Sequence, residues 1–256
     1  MKSKRITFTG SSGIKLAARF DTPDSDECRA TLLFAHCFTC SKNLNAVGHI
    51  TRALTDRGIG VFRFDFTGLG QSEGDFSDST FSSDVQDLVA AADFMKQEYQ
   101  APGIIMGHSL GGAAVLQAAG KIDSVKAVCT VGAPCNPAHV QHLMEHKISE
   151  IEEKGEATVV LAGRKFSIKK QFLDDLQEQV MDDIIANLGK ALLVFHSPVD
   201  TTVSVDNAAH IFKAARHPKS FVSLDDADHL LNRSSDASYV GEVTAAWAAR
   251  YFVKDR

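Results

Sequence analysis

The chain has 256 residues, 44% hydrophobic and 23% charged, with a formal net charge of −5. That length buries a sizeable core without a disulfide scaffold, and a single α/β domain over residues 1–256 accounts for it. The mildly acidic balance without a long basic run argues against nucleic acid and anionic membranes as partners, and no apolar stretch approaches the ~20 residues of a membrane span.

The N-terminus "MKSKRITFTG" carries charges but no apolar h-region, so it does not read as a secretory signal. "RITFTG" and "KLAARFDTP" read as two strands of a hairpin joined through "SSG". "ATLLFAH" is a continuous apolar run, the pattern of a strand buried on both faces. Residues 44–57 form the next helix, stopped by Gly58, and "IGVFRFDF" the next strand. After the Gly-rich loop "TGLGQSEGD", Phe81, Val85, Leu88, Val89, Ala92, Met95 and Tyr99 recur at helical spacing, predicting an amphipathic helix over 80–99. "APGIIMGHS" is a strand, "LGGAAVLQAAG" a helix and "VKAVCTVGAP" a strand.

Regularity breaks after Pro134. Residues 135–153 read as helical, "EATVVLAGRKFSIKK" as a hairpin turning at "AGR", and 171–189 as helical again. The rhythm then resumes with strand "ALLVFHS", helix 204–215, strand "KSFVSLDD" and helix 238–253. Such alternation implies a mainly parallel, eight-stranded sheet with helices on both faces. Residues 135–190 form a helix-plus-hairpin insertion over its C-terminal edge.

"MGHSLGGAA" places Gly107-His108-Ser109-Leu110-Gly111 between a predicted strand and a predicted helix, the context of a nucleophile elbow. There a strained turn lifts the serine hydroxyl clear of the sheet, and Gly107 and Gly111 remove side chains that would collide. The following helix aims its N-terminal N–H groups at developing negative charge. A serine hydroxyl needs a base. Among ten histidines, His229 in "LDDADHLLN" follows the last predicted strand in a loop on the C-terminal side of the sheet. His36, His108 and His196 compete, with the His108 side chain expected to point away from Ser109. His210 and His217 read as helix-surface or helix-end residues. The base needs an orienting acid, and Asp200 in "FHSPVDTTVS" follows the penultimate strand. Asp225, Asp226 and Asp228 lie too near His229 to reach back, and Asp206 reads as a helix cap.

Ser109, Asp200 and His229 fall in the nucleophile–acid–base order of α/β-hydrolases. With "GHSLGG", "HSPVD", "DADHLL" and "DFTGLGQSEG", the chain resembles that superfamily over nearly its whole length. It looks like the hydrolase half of bacterial proteins that carry a C-terminal OsmC-like domain. It is also similar to feruloyl-type esterases, whose small helix-and-hairpin lid stands where 135–190 stands here. The resemblance implies an α/β-hydrolase fold, an esterase activity on short-chain or aryl and feruloyl-type esters, no cofactor, and an OsmC-like domain as partner in a longer parent chain. It further implies an oxyanion hole from the N–H groups of Leu110 and, by position, Phe38. The insertion would supply the other pocket wall, with Met144, Phe166 and Phe172 as candidates.

"HCFTCSK", residues 36–42, lies where relatives often read His-Gly-Phe; Cys37 is a departure. Strand–CxxC–helix is also the arrangement of a thiol oxidoreductase using Cys37 and Cys40, but that reading leaves Ser109, Asp200 and His229 unexplained. Zinc would need a second ligand pair. The five cysteines lack framework spacing and read as reduced thiols in a cytoplasmic protein, most of them small apolar fillers. "HLMEH", His142 to His146, matches the H-x-x-E-H pattern of inverted zinc peptidases, yet reads better as a solvated helical face. A non-catalytic α/β-hydrolase-like binding module is the remaining alternative.

Overall fold

The continuous apolar runs become strands buried at every position: β3 (Ala30–Ala35), β4 (Ile59–Phe64), β5 (Ile104–His108), β6 (Ala127–Val131) and β9 (Ala191–His196). They form the middle of an eight-stranded sheet in a computed structural model that describes residues 1–25, 28–161 and 163–252. β1 (Lys2–Thr9) and β2 (Lys15–Thr22) pair antiparallel, and β2 continues antiparallel onto β4. All pairings from β4 through β3, β5, β6 and β9 to β10 (Lys219–Ser223) are parallel. The strand order β1-β2-β4-β3-β5-β6-β9-β10 is that of the α/β-hydrolase fold expected from the sequence.

Period-two alternation divides each buried strand between two cores. Leu33, Phe62, Phe64, Ile105, Val128 and Leu192 pack toward α2 (Phe81–Glu98), α3 (Leu110–Ala118) and α7 (Asp206–Ala214). Leu32, Phe34, Val61, Met106, Cys129 and Phe195 pack toward α1 (Asn45–Asp56) and α8 (Ser234–Ala248) on the other face. Thr80 caps α2 through a reciprocal box with Ser83, which fixes where that helix begins.

The insertion departs from its predicted boundaries. Residues Pro137–Met144 wind as 3₁₀ turns before α4 (Glu145–Lys154), which ends at Gly155 in the left-handed region. The hairpin is β7 (Glu156–Leu161) with β8 (Arg164–Lys169), a two-stranded sheet of its own. Ala162 of the predicted turn lies outside the described residues. The helix expected at 171–189 is two, α5 (Lys170–Gln177) and α6 (Met181–Ala186). Helix α8 begins four residues before its predicted start, because its polar first turn gives no apolar period to read; Arg233 instead clamps Asp236 at 2.8 Å. Residue 253 of that prediction lies outside the described residues. Asp206 does not cap α7: it is the first helical residue and accepts from Ser204 Oγ at 3.1 Å. Among the described residues no helix is long and apolar enough to cross a membrane.

Candidate active site

Ser109 stands between β5 and α3 at φ 54°, ψ −126°, a conformation L-residues rarely adopt. The surrounding glycines make it possible. A Cβ on Gly107 would lie 2.1 Å from the Gly111 carbonyl oxygen, and one on Gly111 would lie 2.4 Å from the His36 carbonyl oxygen. The strand, the helix and the loop after β3 therefore close on one point. Ser109 N–H donates to the Val131 carbonyl at 2.9 Å, which anchors the turn to β6.

The loop after β10 brings His229 over this turn. Its Nε2 lies 3.0 Å from Ser109 Oγ and its Nδ1 2.7 Å from Asp200 Oδ2. With the carboxylate accepting at Nδ1, that nitrogen carries the proton and Nε2 is left to accept from the serine hydroxyl. Asp200 Oδ1 accepts from the Thr202 and Val203 N–H groups at 2.8 and 2.9 Å. Burial alone would raise the Asp200 carboxyl, but the bonds from His229, Val203 and Thr202 outweigh it and hold the carboxyl below its ordinary range. Gly132, at φ +57°, follows β6 directly beneath this pair; a Cβ there would lie 3.3 Å from His229 Nδ1 and 3.4 Å from Asp200 Oδ2.

The competing histidines are each engaged elsewhere. His36 Nδ1–H donates to the Cys37 carbonyl at 2.8 Å, and burial keeps its ring below its ordinary pKa. His196 donates from Nε2 to the Val203 carbonyl at 2.8 Å and is likewise pushed down by burial. His108 does point away from Ser109 and donates from Nε2 to the main-chain carbonyl of His229 at 2.7 Å. Burial, and then the nearby His229, lower it to about 3. His139 and His142 donate to the carbonyls of Thr202 and His139, and His210 pairs with Asp182 at 2.6 Å.

The loop after β3 carries a correction. Cys37 and Cys40, expected as reduced thiols, are joined in a disulfide; the turn between them brings their Cα atoms to 5.3 Å, inside the span a disulfide bridges. Cys28, Cys129 and Cys135 are free. The loop is held from outside as well. Lys42 N–H donates to Asp65 Oδ1 at 2.7 Å, its Nζ pairs with the same buried carboxylate, and Gln71 N–H donates to Asp65 Oδ2 at 2.9 Å. The first residue of "DFTGLGQSEG" thus ties that turn to the "HCFTCSK" loop. Sequence reading missed this pair; the signal was a lysine at the loop's end and an aspartate ending a buried strand. Leu110, as first residue of α3, has an N–H with no carbonyl behind it in the helix. The Phe38 ring stacks on Phe172 at 5.2 Å.

Ser109 and His229 open into a cavity of about 550 Å³, walled by Phe38 and both loop cysteines on one side and by Leu143, Val160, Leu161 and Arg164 of the insertion on the other. The insertion does form a wall, but Met144, Phe166 and Phe172 do not line it. Met144 and Phe172 are core residues, the latter backing Phe38, and Phe166 packs edge-on against Phe76 at 5.1 Å. These large apolar side chains hold the insertion to the body, and Val160, Leu161 and Arg164 at the hairpin tip face the cavity.

Residues 26–180 match the family model described as serine aminopeptidase, S33. An uncharacterized protein YfhR from Escherichia coli (strain K12) is 21% identical over 234 residues, 89% of this chain and 74% of that one. The crystal structure of the esterase domain from a Rhodothermus marinus protein is 51% identical, covering 99% of this chain and 100% of that chain, at a TM-score of 0.81. Est1E from Butyrivibrio proteoclasticus with ferulic acid bound is 22% identical and covers 97% of this chain and 100% of its own, at a TM-score of 0.76; at that identity it shows the shared fold.

Proposed function

The chain belongs to the serine aminopeptidase S33 family of α/β-hydrolases, and from that premise we propose that it is a carboxylic ester hydrolase working through an acyl-enzyme on Ser109. The observation that carries the reading is the hydrogen-bonded chain Ser109–His229–Asp200, at 3.0 and 2.7 Å, at the edge of an open cavity.

In the proposed reaction Ser109 Oγ attacks the ester carbonyl carbon while His229 Nε2 takes its proton. Asp200 keeps the proton on Nδ1 and stabilises the imidazolium. The carbonyl oxygen becomes an oxyanion held by the Phe38 and Leu110 N–H groups. Collapse of the tetrahedral intermediate breaks the bond to the alcohol oxygen, which leaves with the proton from His229. Water, deprotonated by His229, then attacks the acyl carbonyl and releases the acid and the serine. The hairpin wall serves as a lid that shapes the pocket.

The family's description names a peptidase, but an aminopeptidase must hold a free ammonium group. Among the described residues no aspartate or glutamate lines the cavity, and the permanently charged lining residue among them is Arg164, of the wrong sign. The similar esterase domain from Rhodothermus marinus supports an ester instead. A panel of p-nitrophenyl esters, from acetate to octanoate with a feruloyl ester beside them, tests the reading. Turnover that disappears in Ser109→Ala, with circular dichroism unchanged, is expected. Equal turnover in Ser109→Ala would refute the serine mechanism.

A further inference from the structure

We propose that Arg164 determines specificity at this site, and that the preferred ester carries an anionic group, a carboxylate, which the guanidinium receives; this rests on the esterase reading above. The starting point is a break in the pattern of the hairpin. Its strands pair Ala157 with Ile168, Val159 with Phe166 and Leu161 with Arg164. Residues paired across an antiparallel ribbon share a face, and every second pair along it returns to that face. That face reads Ala157, Val159, Leu161, Ile168, Phe166 and, at the exposed tip, Arg164. Ala157, Val159, Leu161 and Ile168 are buried, so the body covers this face up to the tip, where Arg164 is exposed at the cavity. An arginine ending an apolar face is the kind of local inconsistency that marks a functional position.

The surroundings of Arg164 leave it a receptor. Lys169 and Lys170, a few residues on, pair with Asp78 and Asp174. Among the described residues no ion pair to Arg164 occurs and no acidic side chain lines the cavity it shares with Ser109 and His229. Its guanidinium carbon lies 5.2 Å from the centre of the Phe166 ring, which steadies the planar group by a cation–π contact. That contact leaves its N–H edge for a bidentate carboxylate. Leu143, Val160 and Leu230 around the same cavity are partly exposed and apolar. A ligand with an apolar body and one carboxylate matches them together, and a cavity of about 550 Å³ is of a size that holds such a small molecule.

The carboxylate can sit on either side of the scissile bond, and the test separates the two. p-Nitrophenyl hemiglutarate places it on the acyl side, with p-nitrophenyl butyrate as neutral partner. 4-Carboxyphenyl butyrate places it on the alcohol side, with phenyl butyrate as partner. In the wild type, kcat/KM for one charged ester should exceed its neutral partner at least tenfold. Arg164→Gln should lower that ratio about tenfold, mainly through KM, and Arg164→Glu should lower it further. Arg164→Lys should keep part of it. Lys170→Gln, at a lysine that pairs with Asp174 and does not line the cavity, should leave the ratio as in the wild type. Binding of the charged ester to Ser109→Ala by calorimetry reads the same preference without turnover, so it tests Arg164 even if the esterase reading fails. A wild type that binds and turns over the neutral ester of each pair at least as well, or an Arg164→Gln variant with an unchanged ratio, would overturn the proposal.

Discussion

His108 and His229 are joined side chain to main chain: Nε2–H of the first donates to the carbonyl oxygen of the second at 2.7 Å, and the two rings stand 5.0 Å apart. The residue before the proposed nucleophile thus holds the loop that carries the proposed base. The elbow and the loop after β10 are separate in sequence, and this bond sets their spacing directly.

Loss of that bond should loosen the base rather than remove it. His108→Ala leaves the part-buried His229 carbonyl without this partner, which costs about 1 kcal/mol of stability. Ester turnover should fall through kcat more than KM, because the ring is misplaced while the cavity wall is unchanged. His108→Gln, which keeps an N–H donor, should recover much of the loss. Steady-state kinetics on the two variants, with urea unfolding beside them, separates positioning from simple destabilisation. Equal loss in both would mean that the imidazole itself is needed.

Acid should unfold the protein in a window set by its buried histidines. His36, His108 and His196 all lie below the ordinary imidazole value, with burial as the first cause, and His108 lies at about 3. Between about pH 6.5 and 3 the unfolded chain therefore binds more protons than the folded one at these sites. Stability rises with pH wherever the unfolded state binds more protons. Their contribution is complete above about pH 6.5 and is lost as pH falls toward the folded values. Urea midpoints measured from pH 8 to pH 4 should fall steadily below pH 6.5. They should fall less steeply in His108→Gln, which does not titrate. Parallel curves for the two proteins would show that His108 contributes nothing to the acid limb.

The Lys42–Asp65 pair should matter to both stability and rate. Asp65 is fully buried, Lys42 nearly so, and the carboxylate also takes the Lys42 and Gln71 N–H groups. Asp65→Asn removes the charge that balances the ammonium, and breaking a buried pair from one side costs about 3–5 kcal/mol. The backbone that presents Phe38 N–H should then shift, and an oxyanion donor lost is about a hundredfold in rate. Thermal unfolding and kcat on one ester, measured below the variant's melting temperature, check the two effects separately. A folded Asp65→Asn protein with wild-type kcat would show that the loop is held without this pair.

How far the sequence reached depended on the kind of signal. Buried strands such as Leu32–Phe34 and Ile104–Met106 announce themselves as apolar runs, and the order of strands and helices follows from their alternation. Ser109, Asp200 and His229 were legible because each follows a recognisable strand and the elbow demands glycines at 107 and 111. What escaped was set by contacts between distant segments. Asp65 and Lys42 are 23 residues apart, and nothing local says that one charge answers the other. The insertion lacks a period long enough to predict, so its helices split and its aromatic residues went inward to Phe76 and Phe38 rather than to the cavity. Arg164 was hidden because a cation in a hairpin tip reads as ordinary solvated surface, and only its place in the wall of the cavity beside Ser109 and His229 sets it apart.

Replacing the two loop cysteines distinguishes a brace from a reagent. The Cys37–Cys40 disulfide spans a separation of three residues, and so short a loop constrains the unfolded chain by only about 2 kcal/mol. The loop keeps other supports when the bond is absent. Cys40 N–H donates to the Cys37 carbonyl at 3.1 Å, His36 donates to that same carbonyl at 2.8 Å, and Lys42 is fixed on Asp65. These bonds hold the main chain on both sides of Phe38, whose N–H rather than any thiol is asked to act. Cys37→Ala/Cys40→Ala should therefore keep esterase activity within a few-fold of wild type and lose a few degrees of melting temperature. Dithiothreitol should act on the wild type to the same small extent and leave the double variant unaffected. Both proteins are then assayed for insulin disulfide reduction. A strong reductase activity in the wild type that vanishes with the cysteines, together with the esterase, would make the pair a reagent and would displace Ser109 from the centre of the chemistry.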